Sequence, residues 1–206
     1  MTGVLGVVAL GALLGVRHAT DADHVVAVTT IVARGPGLRR AAAVGALWGL
    51  GHSTTILVVG GTLIGLRVAM PPRVAVALEL VVAAMLVLLG LRALHAARRA
   101  AGPAERSGAL RPLVVGTIHG LAGSAAVTLL VLASIRDPRW AVAYLAVFGL
   151  GTVVGMVGVT LLLAAPAAMA GARLGPMQRG LQLAAGTASL VLGVVMANAL
   201  VRELAS

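Results

Sequence analysis

The chain has 206 residues, of which 60% are hydrophobic and only 11% charged, with a mean hydropathy of +1.05. A soluble domain of this length needs far more polar surface, so the composition specifies an integral, polytopic membrane protein. The formal charge of +10 comes from arginines, most of them in short loops between apolar runs. There they anchor topology and meet anionic lipid, which leaves nucleic acid out as a partner. The absence of cysteine excludes disulfides, thiolate metal sites and thiol relays.

A membrane span takes about twenty apolar residues. Six candidates follow in chain order: Gly3–Ala33, Ala41–Leu66, Val74–Ala97, Leu113–Ile135, Trp140–Ala165 and Gly180–Val201. The start, Met1 to Leu14, lacks a basic n-region and is expected to stay on the protein. The first candidate is too long for one straight helix and carries charges in its second half. A broken or re-entrant helix, with its irregular backbone shielded by protein, fits it better. Breaks fall at Arg34–Arg40, Arg67–Arg73, Arg98–Arg111, Arg136–Arg139 and Arg173–Arg179. Loops one, three and five hold Arg34, Arg39 and Arg40, then Arg98, Arg99, Arg106 and Arg111, then Arg173 and Arg179. Loops two and four hold Arg67, Arg73, Arg136 and Arg139, and the C-terminal tail adds Arg202, so the odd loops are expected in the cytoplasm and both termini outside.

The chain also resembles itself. Gly15-x-x-His18 lines up with Gly116-x-x-His119, and Trp48-Gly49-Leu50-Gly51-His52 with Phe148-Gly149-Leu150-Gly151-Thr152. Further on, Leu78-Glu79-Leu80 lines up with Leu181-Gln182-Leu183. Three matches in the same order argue for a duplication. Three spans per copy is an odd number, so the copies must be oppositely oriented. The expected architecture is all-α: six transmembrane helices as a 3+3 inverted repeat, with the first helix broken around the His/Asp motif. Residues 1–97 form the first repeat, 98–112 a cytoplasmic linker and 113–206 the second repeat.

The chemistry concentrates in Arg17-His18-Ala19-Thr20-Asp21-Ala22-Asp23-His24. Ionisable groups within a span are costly and mark ion paths, and imidazole with carboxylate suits a first-row divalent cation. On an unbroken helix, at about 100° per residue, His18, Asp21 and His24 share a broad face while Asp23 points away. Asp23 is therefore expected to face another helix or to sit where the helix unwinds. The alternative is that Asp21 and Asp23 merely pair with Arg17 and Arg34 at the membrane edge. His52, mid-span, is the candidate third ligand, with Ser53, Thr54 and Thr55 able to orient an imidazole or to bond their own helix backbone. His119, the counterpart of His18, is expected to face the same cavity as a fourth ligand or proton acceptor. Glu79 either pairs with Arg73 or couples protons, and His95 is expected at the interface. The methionines form no Cu(I) ladder. No hydrolytic or nucleotide-binding motif is present, so the chain is not expected to be an enzyme or to carry a resident cofactor.

His18, Asp23 and His24, followed by Leu50-Gly51-His52-Ser53-Thr54, resemble the two hallmark motifs of the nickel/cobalt transporter family. Longer members carry acidic residues after the Phe-Gly-Leu-Gly run. Phe148-Gly149-Leu150-Gly151-Thr152 here lacks them, so the chain is more similar to the short, six-span urease-accessory and nickel-permease-like branch. The resemblance implies uptake of Ni²⁺ or Co²⁺ as substrate across the cytoplasmic membrane, with the motif residues in metal recognition. Two other roles stay open: a divalent-metal exporter, and a membrane accessory protein that supplies nickel to metalloenzyme maturation. Partners would then be a metalloenzyme-maturation factor or a second copy of the chain.

Overall fold

The computed structural model of the chain describes residues 2–33, 37–98, 110–135, 137–169 and 175–205. Most of the expected linker, with Arg99 and Arg106, lies outside the described residues, as do Arg34, Arg136 and Arg173. The described residues form α-helices and no strand: α1 (Thr2–His18), α2 (Ala22–Val32), α3 (Leu38–Leu66), α4 (Pro72–Arg98), α5 (Leu110–Ser134), α6 (Pro138–Met169) and α7 (Gly175–Ala205).

Among the described residues, four helical stretches are long and apolar enough to cross a membrane: Leu38–Leu66, Pro72–Arg98, Pro138–Pro166 and Gln178–Ala205. The 29 residues of α3 extend about 43 Å at about 1.5 Å per residue, more than the roughly 30 Å of a hydrocarbon core. Large apolar side chains such as Leu13, Leu150 and Leu162 cover the outside, Leu162 with 74% of its surface exposed. A surface of that kind is stable only in lipid. The chain is a multi-pass membrane protein.

The first apolar run is broken, and the cause is local. At the end of α1 the backbone tightens: Thr20 and Asp21 donate their N–H groups to the carbonyls of Arg17 and His18, at 2.8 and 3.1 Å. The Thr20 hydroxyl also donates to the Arg17 carbonyl at 2.6 Å, offering the backbone an alternative to continued helix. Asp21 is extended (φ −61°, ψ 146°), and its own carbonyl accepts the N–H of Val25 to open α2. The 11 residues of α2 are too few to cross a bilayer alone.

α3 packs against both α5 and α6, α1 against α6, and α4 against α7; α2 touches α4, α6 and α7. Trp48, Leu86 and Met156 are buried in the core with Val28 and Val32 of α2. Glycines set the closest approaches. A Cβ at Gly15 of α1 would run into the Phe148 carbonyl of α6, and one at Gly116 of α5 into the Trp48 carbonyl of α3. These are aligned positions with partners exchanged: 15 on 148, and 116 on 48. The same exchange joins α4 to α7. A Cβ at Gly90 would lie 2.7 Å from the Gly186 carbonyl, and one at Gly193 2.7 Å from the Ala83 carbonyl. Small residues let helix backbones meet in this way when no hydrophobic force drives them together.

Candidate metal centre

The break between α1 and α2 decides where the motif side chains go. His18 is the last residue of α1 and His24 lies in the first turn of α2. Their rings stand edge to face, centroids 4.6 Å apart. His52 comes in from the middle of α3, 5.1 Å from the His18 ring and 5.0 Å from that of His24. His119 of α5 stacks on His24 at 4.1 Å. Four imidazoles from four helices thus share one site, and His24, His52 and His119 are at most 2% exposed.

The carboxylates hold this cluster in place. Asp21 makes no capping bond to the N–H groups of α2. Instead its Oδ2 lies 2.8 Å from Nδ1 of His18. Asp23 bridges two helices: Oδ1 lies 3.1 Å from Nδ1 of His24, and Oδ2 lies 2.7 Å from Nε2 of His119. The alternative pairing of Asp21 with Arg17 is not what forms. On an unbroken helix Asp23 points away from His24; in the structure it is the residue that ties α2 to α5.

These bonds assign the ring protons. A carboxylate only accepts, and a neutral imidazole has one N–H and one bare nitrogen. His18 therefore donates from Nδ1, His24 from Nδ1 and His119 from Nε2. His18 Nε2 is then bare and lies 3.1 Å from Nε2 of His52, so His52 donates from Nε2. The assignment leaves bare nitrogens at His24 Nε2, His52 Nδ1 and His119 Nδ1. All three are buried with no hydrogen-bond partner among the described residues, as is the indole N–H of Trp48, whose ring lies 6.0 Å from that of His119. Each such group costs about 1–3 kcal/mol unless something binds it.

A divalent cation fits this donor set. Two overlapping triads, His18–His24–His52 and Asp23–His24–His119, share His24, and within each triad one donor atom per residue lies within 4.8 Å of the others. Donors on opposite sides of one ion lie about 4.2 Å apart for metal–nitrogen bonds of about 2.1 Å, so small side-chain shifts would close either triad. With neutral imidazoles, Asp21 and Asp23 together balance the two charges of the ion, which a buried cation requires. Asp21 stands outside both triads and acts on the site through His18. Imidazole-rich sites with carboxylate suit Ni²⁺, Co²⁺, Cu²⁺ and Zn²⁺ more than Mg²⁺ or Ca²⁺.

The other expected residues divide. Ser53 donates to the Gly149 carbonyl at 2.8 Å, joining α3 to α6, and Thr55 donates to Gly51 of its own helix at 2.9 Å. Thr54 is exposed. Among the described residues none of the three has a hydrogen bond to an imidazole; Ser53 and Thr55 bond backbone instead. Glu79 is half-buried on α4, outside both triads and in no ion pair with Arg73; His95 is exposed in the last turn of α4. Two residues carried no role in the sequence: Trp48, and Phe148, whose ring lies 5.4 Å from that of His18. Their aligned positions in the internal repeat were the available signal.

The chain is 33% identical over 178 residues to the urease accessory protein UreH of Bacillus sp. (strain TB-90), a match covering 79% of this chain and 78% of that one. No family model matches the chain, and no solved structure does.

Proposed function

The chain belongs to the family of the urease accessory protein UreH, and on that premise we propose that it carries Ni²⁺, and less readily Co²⁺, into the cell. The observation that carries this reading is the set of three bare, buried imidazole nitrogens at His24, His52 and His119. Those three, with His18 and Asp23, are the proposed donors, and Asp21 holds His18 in register. Carboxylate partners that fix ring orientation in this way raise the basicity of the ligating imidazole. Nickel rather than another borderline metal follows from the motif resemblance, since ligand type alone would favour Cu²⁺.

In the proposed architecture α1 and α2 together make a broken first span, and the chain has six spans as a 3+3 inverted repeat, 1–97 and 113–206. The exchanged glycine contacts support it, because a two-fold relation between the halves turns 15-on-148 into 116-on-48. Such repeats form ion sites near the midplane from broken helices. The arginine distribution puts loops one, three and five inside and both termini outside. An inside-negative potential then favours entry of a divalent ion by about 4–5 kcal/mol per 100 mV.

The test is accumulation of radiolabelled Ni²⁺ by nickel-starved cells expressing the chain, beside His24→Ala and His119→Ala at matched membrane abundance. His24→Ala, which removes the residue common to both triads, is expected to abolish accumulation. His119→Ala is expected to cut it severely. A well-expressed native chain that accumulates nothing overturns uptake, and a net loss of metal turns the reading to export. A second reading is favoured by the relative's name: nickel supply to a metalloenzyme-maturation partner. It predicts higher activity of a nickel enzyme in the same cells at unchanged total nickel.

A further inference from the structure

The rings of the cluster stand in two different relations. His18, His24 and His52 form a nearly equilateral triangle, centroids 4.6, 5.0 and 5.1 Å apart, with His24 at 69° and 78° to the other two. Three imidazoles on one ion, at metal–nitrogen bonds of about 2.1 Å, have centroids about 4.6–5.3 Å apart. His24 and His119 are instead stacked, 4.1 Å apart and 27° from parallel. An imidazole lone pair lies in the ring plane, so stacked rings aim theirs side by side and not at one point. His119 is also held elsewhere, its Nε2 lying 2.7 Å from Oδ2 of Asp23.

The second triad therefore becomes a seat for an ion only when the stack opens, and the packing decides which ring moves. His18, His52 and His119 ride on α1, α3 and α5. Those helices are locked to their neighbours at glycines, with Gly15 on Phe148, Gly49 on Val153 and Gly120 on the His52 carbonyl. Asp23 and His24 ride on α2, which contains no glycine, has 11 residues and joins α1 through the break at Thr20 and Asp21. It packs through the side chains of Ala27, Val28 and Val32. We infer that the two triads are alternative seats for one ion, which passes between His18–His24–His52 and Asp23–His24–His119 on His24 as α2 swings and the stack opens. His24 gives Nδ1 to Asp23 and has only Nε2 bare, so the seats fill in turn and never together. An ion that must leave again is better served by several partial sites than by one complete one. The inference rests on the cluster being a metal site and is independent of the direction of transport.

The test is X-ray absorption at the nickel edge of the purified full chain loaded with one equivalent of Ni²⁺, which counts the imidazoles on the ion. The native chain is expected to show no more than three, and His119→Ala to show three. His52→Ala should move the ion to the other triad, with two imidazoles and a carboxylate. Four imidazoles in the native chain overturn the inference, because all the rings then meet on one ion. So does loss of an imidazole in His119→Ala, or a His52→Ala chain that binds no nickel. A native chain that binds nickel through three imidazoles yet accumulates none in cells ends the uptake reading and leaves the two seats standing. One that binds no nickel overturns the metal site and the two seats together.

Discussion

Position 52 in α3 carries a buried imidazole, and the aligned position in α6, 152, carries a buried hydroxyl that donates to the Phe148 carbonyl of its own helix at 2.9 Å. The same contrast runs along the two halves. His18 has a counterpart in His119, but Asp23 and His24 align with Ser124 and Ala125. The glycine contacts, by comparison, are present in both halves with partners exchanged. Close backbone approaches occur in both halves, while the clustered imidazoles and carboxylates lie in one half and meet a single residue, His119, of the other. One divalent ion needs only a handful of donors, and each further ionisable group in a bilayer adds cost without adding ligation.

That contrast can be broken at three places. Asp23→Asn keeps the shape of the one carboxylate that bridges the halves and removes its charge. Metal affinity of the purified chain, measured by calorimetry, is expected to fall about 10–100-fold, the usual effect of removing a partner that orients a ligating imidazole. Unchanged affinity would mean that the bridge to His119 is structural only. Next come the paired glycines. Gly15→Ala and Gly116→Ala should each lower stability by about 1–3 kcal/mol in thermal unfolding, because the added methyl meets a carbonyl of the neighbouring helix. Gly61→Ala, with nothing within 4 Å, should be neutral or stabilising by up to about 1 kcal/mol. Similar losses at 15 and 116 would sharpen the two-fold relation, and a loss at one alone would break it. The smallest effect is expected from Thr152→Val, which removes a bond within one helix and keeps the volume. Stability should change by less than about 1 kcal/mol and nickel accumulation should stay at the native level. If accumulation falls instead, the second half contributes more to the site than His119.

Much of this was legible without coordinates. An excess of length and charge in the first apolar run pointed to a broken or re-entrant helix, and Thr20 with Asp21 supplies the turn. The set His18, Asp21, Asp23, His24, His52 and His119 was visible because imidazoles and carboxylates stand out against hydrocarbon. The turn's effect on direction was not visible. On a continuous helix Asp21 is grouped with His18 and His24 and Asp23 is turned away; in the structure the break leaves Asp21 behind His18 and brings Asp23 between His24 and His119. A rotation of that kind is set by how α2 packs on α4, α6 and α7, contacts too distant in the chain for local spacing to encode.

The division follows from the physics of each link. Composition and the length of apolar runs determine that the chain lives in a membrane, because transfer of side chains into hydrocarbon is a nearly additive property of the residues themselves. Which ring nitrogens remain bare is a property of pairs of atoms on different helices. Only packing decides that Asp23 reaches His119, that His18 meets His52, and that three buried nitrogens are left bare.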